Sequence, residues 1–375
     1  MSWRPKALGE VMTLKRGHDL PERQRLPGDV PVVSSSGVPG FRSVAKAEPP
    51  GVVTGRYGTL GEVFFVQEPY WPLNTALYVV DFKGNDPRFV GYLLRNTLRK
   101  YRSEKAAVPG FNRNVLHTLR VLSPGPSEQE AIVSILSSYD DLIENNRRRI
   151  TLLEETARLL YREWCVHFRF PGHEHVGIVD GEGVPEGWEA RTLGESVQVV
   201  KQGVRPADFL EDDAHIGLEH IPRRSFTLAN WEPADRVAST KWRFRADDIL
   251  FCKIRPYFHK VGFALRGGLA SSDAIVLRVL DKADWPLVLC AISSDHFIAV
   301  ASKTVREGSK MPRADWEVLK QYLVARPPPR LLRDFNDAIR AISRQCKTLA
   351  LQSRGLAEAR DLLLPRLMNG DIVAR

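Results

Sequence analysis

The chain has 375 residues, 43% of them hydrophobic and 26% charged, with a net charge of +9 and a pI near 9.4. That length predicts two domains, and the composition is that of a soluble globular protein whose halves can each bury a core. No apolar run reaches membrane-spanning length, no signal peptide opens the chain, and Cys165, Cys252, Cys290 and Cys346 lie far apart without a Cys-x-x-Cys pair. A membrane span and a structural zinc site are disfavoured, and a reduced, cytoplasmic protein is expected. The basic excess favours a polyanionic partner without requiring one.

The chain is written twice. Leu8-Gly9-Glu10 is answered by Leu193-Gly194-Glu195, an offset of 185 (193 − 8). Gly51-Val52-Val53 is answered by Ile249-Leu250-Phe251, an offset of 198 (249 − 51). Gly110, with Asn112 and Arg113 behind it, is answered at 198 by Gly308, with Lys310 and Arg313 behind it. The second copy therefore carries about 13 extra residues near its start, and a repeat this long is a duplicated domain.

The first domain is expected over residues 1–125. Val30 to Val33, Gly51 to Thr54 and Val63 to Val66 read as strands between Gly, Pro and Ser turns. Asp86 to about Tyr101 has the spacing of a helix. Pro124 and Pro126 then precede Ser127-Glu128-Gln129-Glu130, which reads as a capping box opening a long helix over 126–168. Its apolar seam steps through Ile132, Ile135, Tyr139, Ile143, Ile150, Leu153, Ala157, Leu160 and Trp164, with Asn146 as a single polar residue that can fix register. A linker rich in Gly and Pro is expected over 169–187 and the second domain over 188–328. A second long helix is expected over 329–364, stopped by Pro365, with a tail over 365–375.

Neither helix can hide its stripe alone, so the simplest fold is α/β (α+β). Two pseudo-symmetric mixed domains would be joined by two long helices packed as an antiparallel coiled coil. About 40 helical residues make a rod of roughly 60 Å. At about 3.4 Å per base step, roughly 50–60 Å of such a rod spans about 15 base pairs and would act as a ruler between two reading heads. The alternative is that each stripe covers the domain it follows.

Several segments carry a family resemblance. Pro126 to Leu136 with Asp140-Asp141-Leu142-Ile143 and Asn146-Arg147-Arg148, and Trp164 to Pro171, resemble the conserved helical region of type I restriction–modification specificity subunits. Ile216-Gly217-Leu218-Glu219-His220-Ile221, Asp248 to Val261, Gly308 to Arg313 and Leu364 to Ile372 are similar to other segments of that family. The resemblance covers nearly the whole chain. It implies two target recognition domains, each reading one half of a split, asymmetric sequence in double-stranded DNA, with the helices setting the gap. It further implies two modification subunits, which carry S-adenosylmethionine and methylate adenine. Motor-nuclease restriction subunits, using ATP and magnesium, would join where the cell has them. The chain itself would carry no cofactor and perform no chemistry. In one departure, Cys346 stands at the counterpart of Asn146, so the two docking surfaces are expected to be unequal.

The residues agree with a non-catalytic reading. An adenine methyltransferase needs an Asn or Asp before Pro-Pro and an aromatic, and Arg326-Pro327-Pro328-Pro329-Arg330 has neither. No Gly-rich loop ends in Gly-Lys-Ser/Thr. His173-Glu174-His175 sits in the linker, where solvated side chains are the ordinary outcome. DNA contact remains, since Arg pairs with guanine, Asn or Gln with adenine, and Lys neutralises phosphate. The candidates are Arg56 and Tyr57 in the Gly55–Gly58 turn; Lys253, Arg255, Tyr257 and Lys260 (beside His259) in the matching turn; and Asn112, Arg113, Lys310 and Arg313 behind the paired glycines. The tyrosines could equally pack a surface hairpin, the residues behind the glycines could equally start helices, and Ser34 to Ser36 could bond phosphate or form a turn. Two rival functions stand beside DNA reading: a protein-interaction scaffold with two domains on a rod, and a divergent nuclease.

Overall fold

The structure, a computed structural model, describes residues 3–21, 26–57, 61–104, 110–179, 183–305 and 311–374. It divides into two units: Met1–Ile143 with Gly355–Arg375, and Glu144–Arg354.

Unit 1 holds β1 (Arg4–Ala7), α1 (Leu8–Val11), β2 (Thr13–Arg16), β3 (Val30–Ser34), β4 (Gly37–Arg42), β5 (Gly51–Gly55), β6 (Val63–Val66), β7 (Trp71–Pro72) and β8 (Ala76–Asp81). The helices α2 (Pro87–Glu104) and α3 (Arg113–Thr118), the strand β9 (Arg120–Ser123) and the start of α4 (Pro126–Tyr161) follow. The central sheet has the order β2-β8-β5-β6 and is antiparallel throughout. Every residue of β5 is buried, because Gly-Val-Val-Thr-Gly offers no charged position to turn outward. Asp86 caps α2 by accepting from the Phe89 N–H at 2.9 Å. Phe89, Val90, Leu93 and Leu94 then bury one face of α2 with Val52 and Leu77.

Unit 2 repeats the plan with β10 (Glu189–Thr192), α5 (Leu193–Ser196), β11 (Val197–Val199), β12 (Gly203–Val204), β13 (Ala214–Ile216), β14 (Thr227–Leu228), β15 (Glu232–Pro233), β16 (Lys241–Phe244), β17 (Ile249–Cys252), β18 (Val261–Ala264), β19 (Gly268–Ala270) and β20 (Ala274–Val279). Then come α6 (Trp285–Ile292), α7 (Asp295–Lys303), α8 (Trp316–Leu319), β21 (Leu323–Arg326) and α9 (Pro329–Met368). Its sheet β11-β20-β17-β18-β14 is the unit 1 sheet with one strand added. Among the described residues no single helix is long and apolar enough to cross a membrane.

The repeat holds with four offsets rather than two. β1, α1 and β2 match at 185 (199 − 14 gives the same shift through the β2 and β11 registers), and β6 and β8 match at 198 (261 − 63 and 274 − 76). β5 is one residue out: Val53 faces Phe64 where Leu250 faces Gly262, so β17 matches it at 197 (250 − 53). β9 and α4 match β21 and α9 at 203 (323 − 120 and 329 − 126), so Leu349, not Cys346, answers Asn146. The extra residues after β11 build the sheet β12-β16-β19-β13-β15, against three strands, β4-β3-β7, in unit 1. The single helix α2 becomes α6 and α7, bent by 68°. Ser294 causes the break by capping α7, its Oγ accepting from the Phe297 N–H at 3.1 Å.

The long helices differ from expectation at three points. Pro126, not Ser127, begins α4: the Gly125 carbonyl accepts from the Gln129 N–H at 3.0 Å, and a proline at the first helical position has no amide to lose. Gln129 secures this start by donating to the Pro124 carbonyl and to Asn85. Pro365 does not end α9, which runs to Met368. The Asp361 carbonyl, which Pro365 cannot serve, lies 3.4 Å from Arg99 Nη1. Finally, the buried line of α4 passes through Leu136, Glu154, Tyr161 and Cys165 rather than Ile135, Leu153, Leu160 and Trp164. Asn146 is buried on that line as expected.

The helices pair antiparallel. In unit 2, Trp164 of the turn closing α4 meets Phe335 at 6.1 Å, and Glu154 acts electrostatically on Cys346. In unit 1, Asp140 pairs with Arg360. Partners advance along α9 as they retreat along α4. Each unit also draws helix residues into its own core: Ile132, Leu136, Leu364 and Leu367 in unit 1, and Ala157, Tyr161, Phe335 and Ile339 in unit 2. The stripes thus cover both each other and the domains.

Candidate nucleic-acid interface

In unit 1 the ends of β2 and β5 and the start of α3 enclose a pocket of about 570 Å³. Its lining is Arg16, Arg56, Tyr57, Leu77, Gly110, Phe111, Asn112 and Arg113. Four residues singled out in the sequence are therefore brought together. The backbone of Arg56 is held on both sides: its N–H donates to the Thr75 carbonyl at 2.8 Å, and its carbonyl accepts from the Phe111 N–H at 2.9 Å. Its guanidinium lies 4.6 Å from the centre of the Tyr57 ring, a cation–π contact. Tyr57 is 47% exposed. Gly110 is required here, since a Cβ would fall 2.5 Å from the Tyr57 ring. Asn112 caps α3: its Oδ1 accepts from the Asn114 N–H at 2.9 Å, and its amino group remains a donor. Arg16, missed in the sequence, comes from the end of β2, 40 residues before Arg56, and lies 3.5 Å from exposed Asp19.

Unit 2 makes the same backbone bonds with Lys253 in place of Arg56. The Lys253 N–H donates to the Asp273 carbonyl at 3.1 Å, and its carbonyl accepts from the Ala314 N–H at 2.8 Å. Tyr57 is answered by buried Ile254, Asn112 by Asp315 (the cap of α8), and Gly110 by Arg313, not by Gly308. The pairing of Asn112–Arg113 with Lys310–Arg313 is thus displaced by the later insertion, and Gly308 and Lys310 lie outside the described residues. Lys253 Nζ donates to the Ser272 carbonyl at 2.8 Å, and Arg313 pairs with Asp273 at 3.2 Å. Lys260 is half-buried, donates to the Leu218 carbonyl, and has its pKa pulled down by burial. These cations are engaged within the fold.

The exposed groups of unit 2 sit further out on the loop between β17 and β18. Arg255 adopts a left-handed backbone (φ 47°), as do Arg224 (56°) and His259 (53°), and non-glycine residues rarely do so. Buried His259 holds the loop: its Nε2 lies 2.9 Å from the Ser293 carbonyl, and its carbonyl accepts from the Arg224 N–H at 2.9 Å. The result is a cluster of Arg255, Tyr257 (55% exposed), Phe258 and Arg223, with the Arg223 guanidinium 4.1 Å from the Phe258 ring centre. The left-handed conformation of Arg255 is a tertiary feature that no local pattern announces. Arg223 could have been suspected from its place in Pro222-Arg223-Arg224.

Two other clusters are structural. Ser34 is buried, and its Oγ donates to the Gly37 carbonyl at 3.0 Å, an ordinary turn. His215, His220 and Glu232 lie close enough to suggest a cation site, with His215 Nδ1 3.2 Å from Glu232. However, His220 Nδ1 accepts from the Gly217 N–H at 3.0 Å, which leaves the ring proton on Nε2, facing Glu232. His215 can thus donate to Glu232, while His220 Nε2 stands 4.0 Å from the same carboxylate and the His220 ring is held by Gly217 instead. His173 and His175 sit in an exposed turn.

Residues 2–155 match the family model described as the type I restriction modification DNA specificity domain. Over 333 residues the chain is 21% identical to the type I restriction enzyme MjaIX specificity subunit of Methanocaldococcus jannaschii, covering 84% of this chain and 75% of that protein. It is also 21% identical over 279 residues to the EcoDI specificity subunit of Escherichia coli, covering 67% of this chain and 61% of that protein. Among solved structures, the S subunit of a type I restriction–modification system from M. genitalium aligns over 98% of this chain and 96% of its own, with a TM-score of 0.57 and 15% identity, which shows a common fold. Residues 2–155 are thus similar to that DNA specificity domain, and the chain, with its duplicated sheet and paired long helices, shares the fold of that S subunit.

Proposed function

We propose that this chain reads a bipartite, asymmetric DNA sequence, one half with each unit, and directs adenine methylation by partner subunits. The observation that carries the reading is one sheet order used twice with different chemistry at matching loops. Two identical readers would suit a symmetric target; Arg56 and Tyr57 against Lys253 and Ile254 suit unequal half-sites. The methyl donor S-adenosylmethionine belongs to two modification subunits, and ATP and magnesium to restriction subunits where these are present. Modification subunits would dock on α4 and α9, which expose Leu142, Leu152 (63% exposed), Leu159, Leu351 and Leu362.

The test is long-read sequencing of methylated bases in DNA from cells making this chain with its modification subunit. N6-methyladenine confined to one split motif, and lost when this chain is omitted, supports the reading. If the purified complex binds all DNA sequences equally, the scaffold alternative stands. A ruler role for the helices is tested by adding one heptad to both: the preferred gap should lengthen, and an unchanged gap rules the role out.

A further inference from the structure

We infer that the unit 1 pocket is a guanine reader, with Arg56 as its specificity-determining residue. This rests on the reading of the chain as a DNA specificity subunit, and goes beyond it by naming a base. The argument starts from what the pocket can offer. Arg16, Arg56 and Arg113 are donors only, and Asn112 adds its amino group, with one lone pair of its oxygen already engaged by the Asn114 N–H. No carboxylate stands among the described lining residues. Tyr57 supplies the single hydroxyl there that can also accept. A wall of donors fits the major-groove edge with two adjacent acceptors, guanine O6 and N7. Adenine and cytosine bring amino groups that would face donors, and thymine brings one acceptor beside a methyl group.

Arg56 is the member built for this task. Its backbone is tied to Thr75 and Phe111, and its guanidinium lies against the Tyr57 ring rather than an acid. A guanidinium carried on a backbone held at both sides loses less freedom on making two parallel bonds. Arg16 and Arg113, both exposed, lack that support and serve phosphate or a neighbouring base. Unit 2 cannot do the same at its matching place. There Lys253 is a point donor already bonded to a carbonyl, Arg313 is paired with Asp273, and Asp315 supplies a carboxylate. The half-site of unit 1 therefore contains a guanine that this pocket selects.

The experiment uses the complex of this chain with its modification subunit. The methylated motif is first determined with the natural chain, and then with Arg56→Lys and Arg56→Ala. Binding is measured on duplexes carrying 7-deazaguanine, which lacks N7, at each guanine of the motif in turn. The expected result is a loss of about tenfold or more at one guanine of one half only. That same position should turn degenerate in the motif of both variants, with the other half intact, and the Arg56→Ala complex should no longer feel the 7-deaza change. A half-site without guanine for unit 1, or a 7-deaza effect that persists undiminished in Arg56→Ala, overturns the proposal while sparing the specificity function. An equal loss on every sequence with a shallower salt dependence makes Arg56 a phosphate contact and also overturns it. Should the natural complex methylate no motif at all, the broader reading fails and this one falls with it. The modified duplexes probe the natural chain, so the proposal is tested even if a variant folds poorly.

Discussion

Unit 1 and unit 2 build their central sheets in the same order and clip the end of the middle strand with the same two backbone bonds, yet they spend their cations differently. In unit 1, Arg56 meets an aromatic face and stays available; in unit 2, Lys253 and Arg313 are turned back onto Ser272 and Asp273. The exposed basic and aromatic groups of unit 2 instead crowd the loop of Arg255, Tyr257 and Arg223. The comparison teaches that the backbone frame is the shared part, and that a recognition surface can move along a loop without disturbing it. Strand pairing fixes the frame through main-chain groups that every residue carries, while the side chains at its rim are free to change.

The most disruptive way to test the independence of the two units is at Glu154 in unit 2. This carboxylate is 1% exposed; its Oε1 accepts from Ser225 Oγ (2.9 Å), the Thr227 N–H (3.0 Å) and Thr227 Oγ1 (2.7 Å), with Arg158 at 3.4 Å. Glu154→Ala should cost about 3–5 kcal/mol in urea unfolding, because three buried donors lose their acceptor. Glu154→Gln keeps an acceptor oxygen and should cost clearly less. Burial raises the pKa of Glu154 despite these bonds. A raised carboxylate pKa gives stability that is fully present below the unfolded-state value, and that is lost as pH rises through the folded-state value. The natural chain should therefore lose stability as pH climbs above the ordinary carboxylate range, and Glu154→Gln should flatten that slope. An unchanged slope would mean that another group sets it.

A smaller effect should separate the two reading sites. Gly110→Ala places a methyl group 2.5 Å from the Tyr57 ring and 2.9 Å from the Arg56 carbonyl. It should cost about 1–3 kcal/mol of stability and weaken binding at the half-site of unit 1 alone, as footprinting on each half would reveal. Arg255→Ala should do the converse, weakening the half-site of unit 2 by about 1–3 kcal/mol if Arg255 reads a base. Uniform weakening across sequences would make it a phosphate contact. The smallest expected effect tests what is shared: Asn112→Ala and Asp315→Ala each remove a helix cap, and each should cost about 1 kcal/mol. Very unequal losses would show that α3 and α8 are not equivalent supports.

Much of this architecture was legible in the residues. Apolar runs such as Val52-Val53 and Ile249-Leu250-Phe251 announce buried strands wherever they fall, since a fully buried strand tolerates little else. The long seams of α4 and α9 follow from helical spacing, and so does their antiparallel pairing, since neither stripe can be covered alone. Local patterns misled where a stronger constraint lay one residue away. Ser127 and Glu130 fit a capping box, but Pro126 already has the backbone angle of a first helical residue. Pro365 reads as a stop, but Arg99, distant in sequence, serves the carbonyl it leaves open.

By itself, then, the sequence determined that there are two copies of one mixed sheet domain, that each is followed by a long amphipathic helix, and which loops concentrate Arg, Tyr and Asn. Those properties are local or periodic, and periodicity survives without knowledge of contacts. Only the tertiary structure decided the true correspondence of the copies, because insertions after β2 and before α3 shift the numbering by amounts that hydrogen bonds, not letters, reveal. It also decided which cations remain available. Arg56, Lys253 and Arg313 look alike in a sequence, and whether a carboxylate, a carbonyl or an aromatic face meets each one depends on residues that folding brings in from elsewhere.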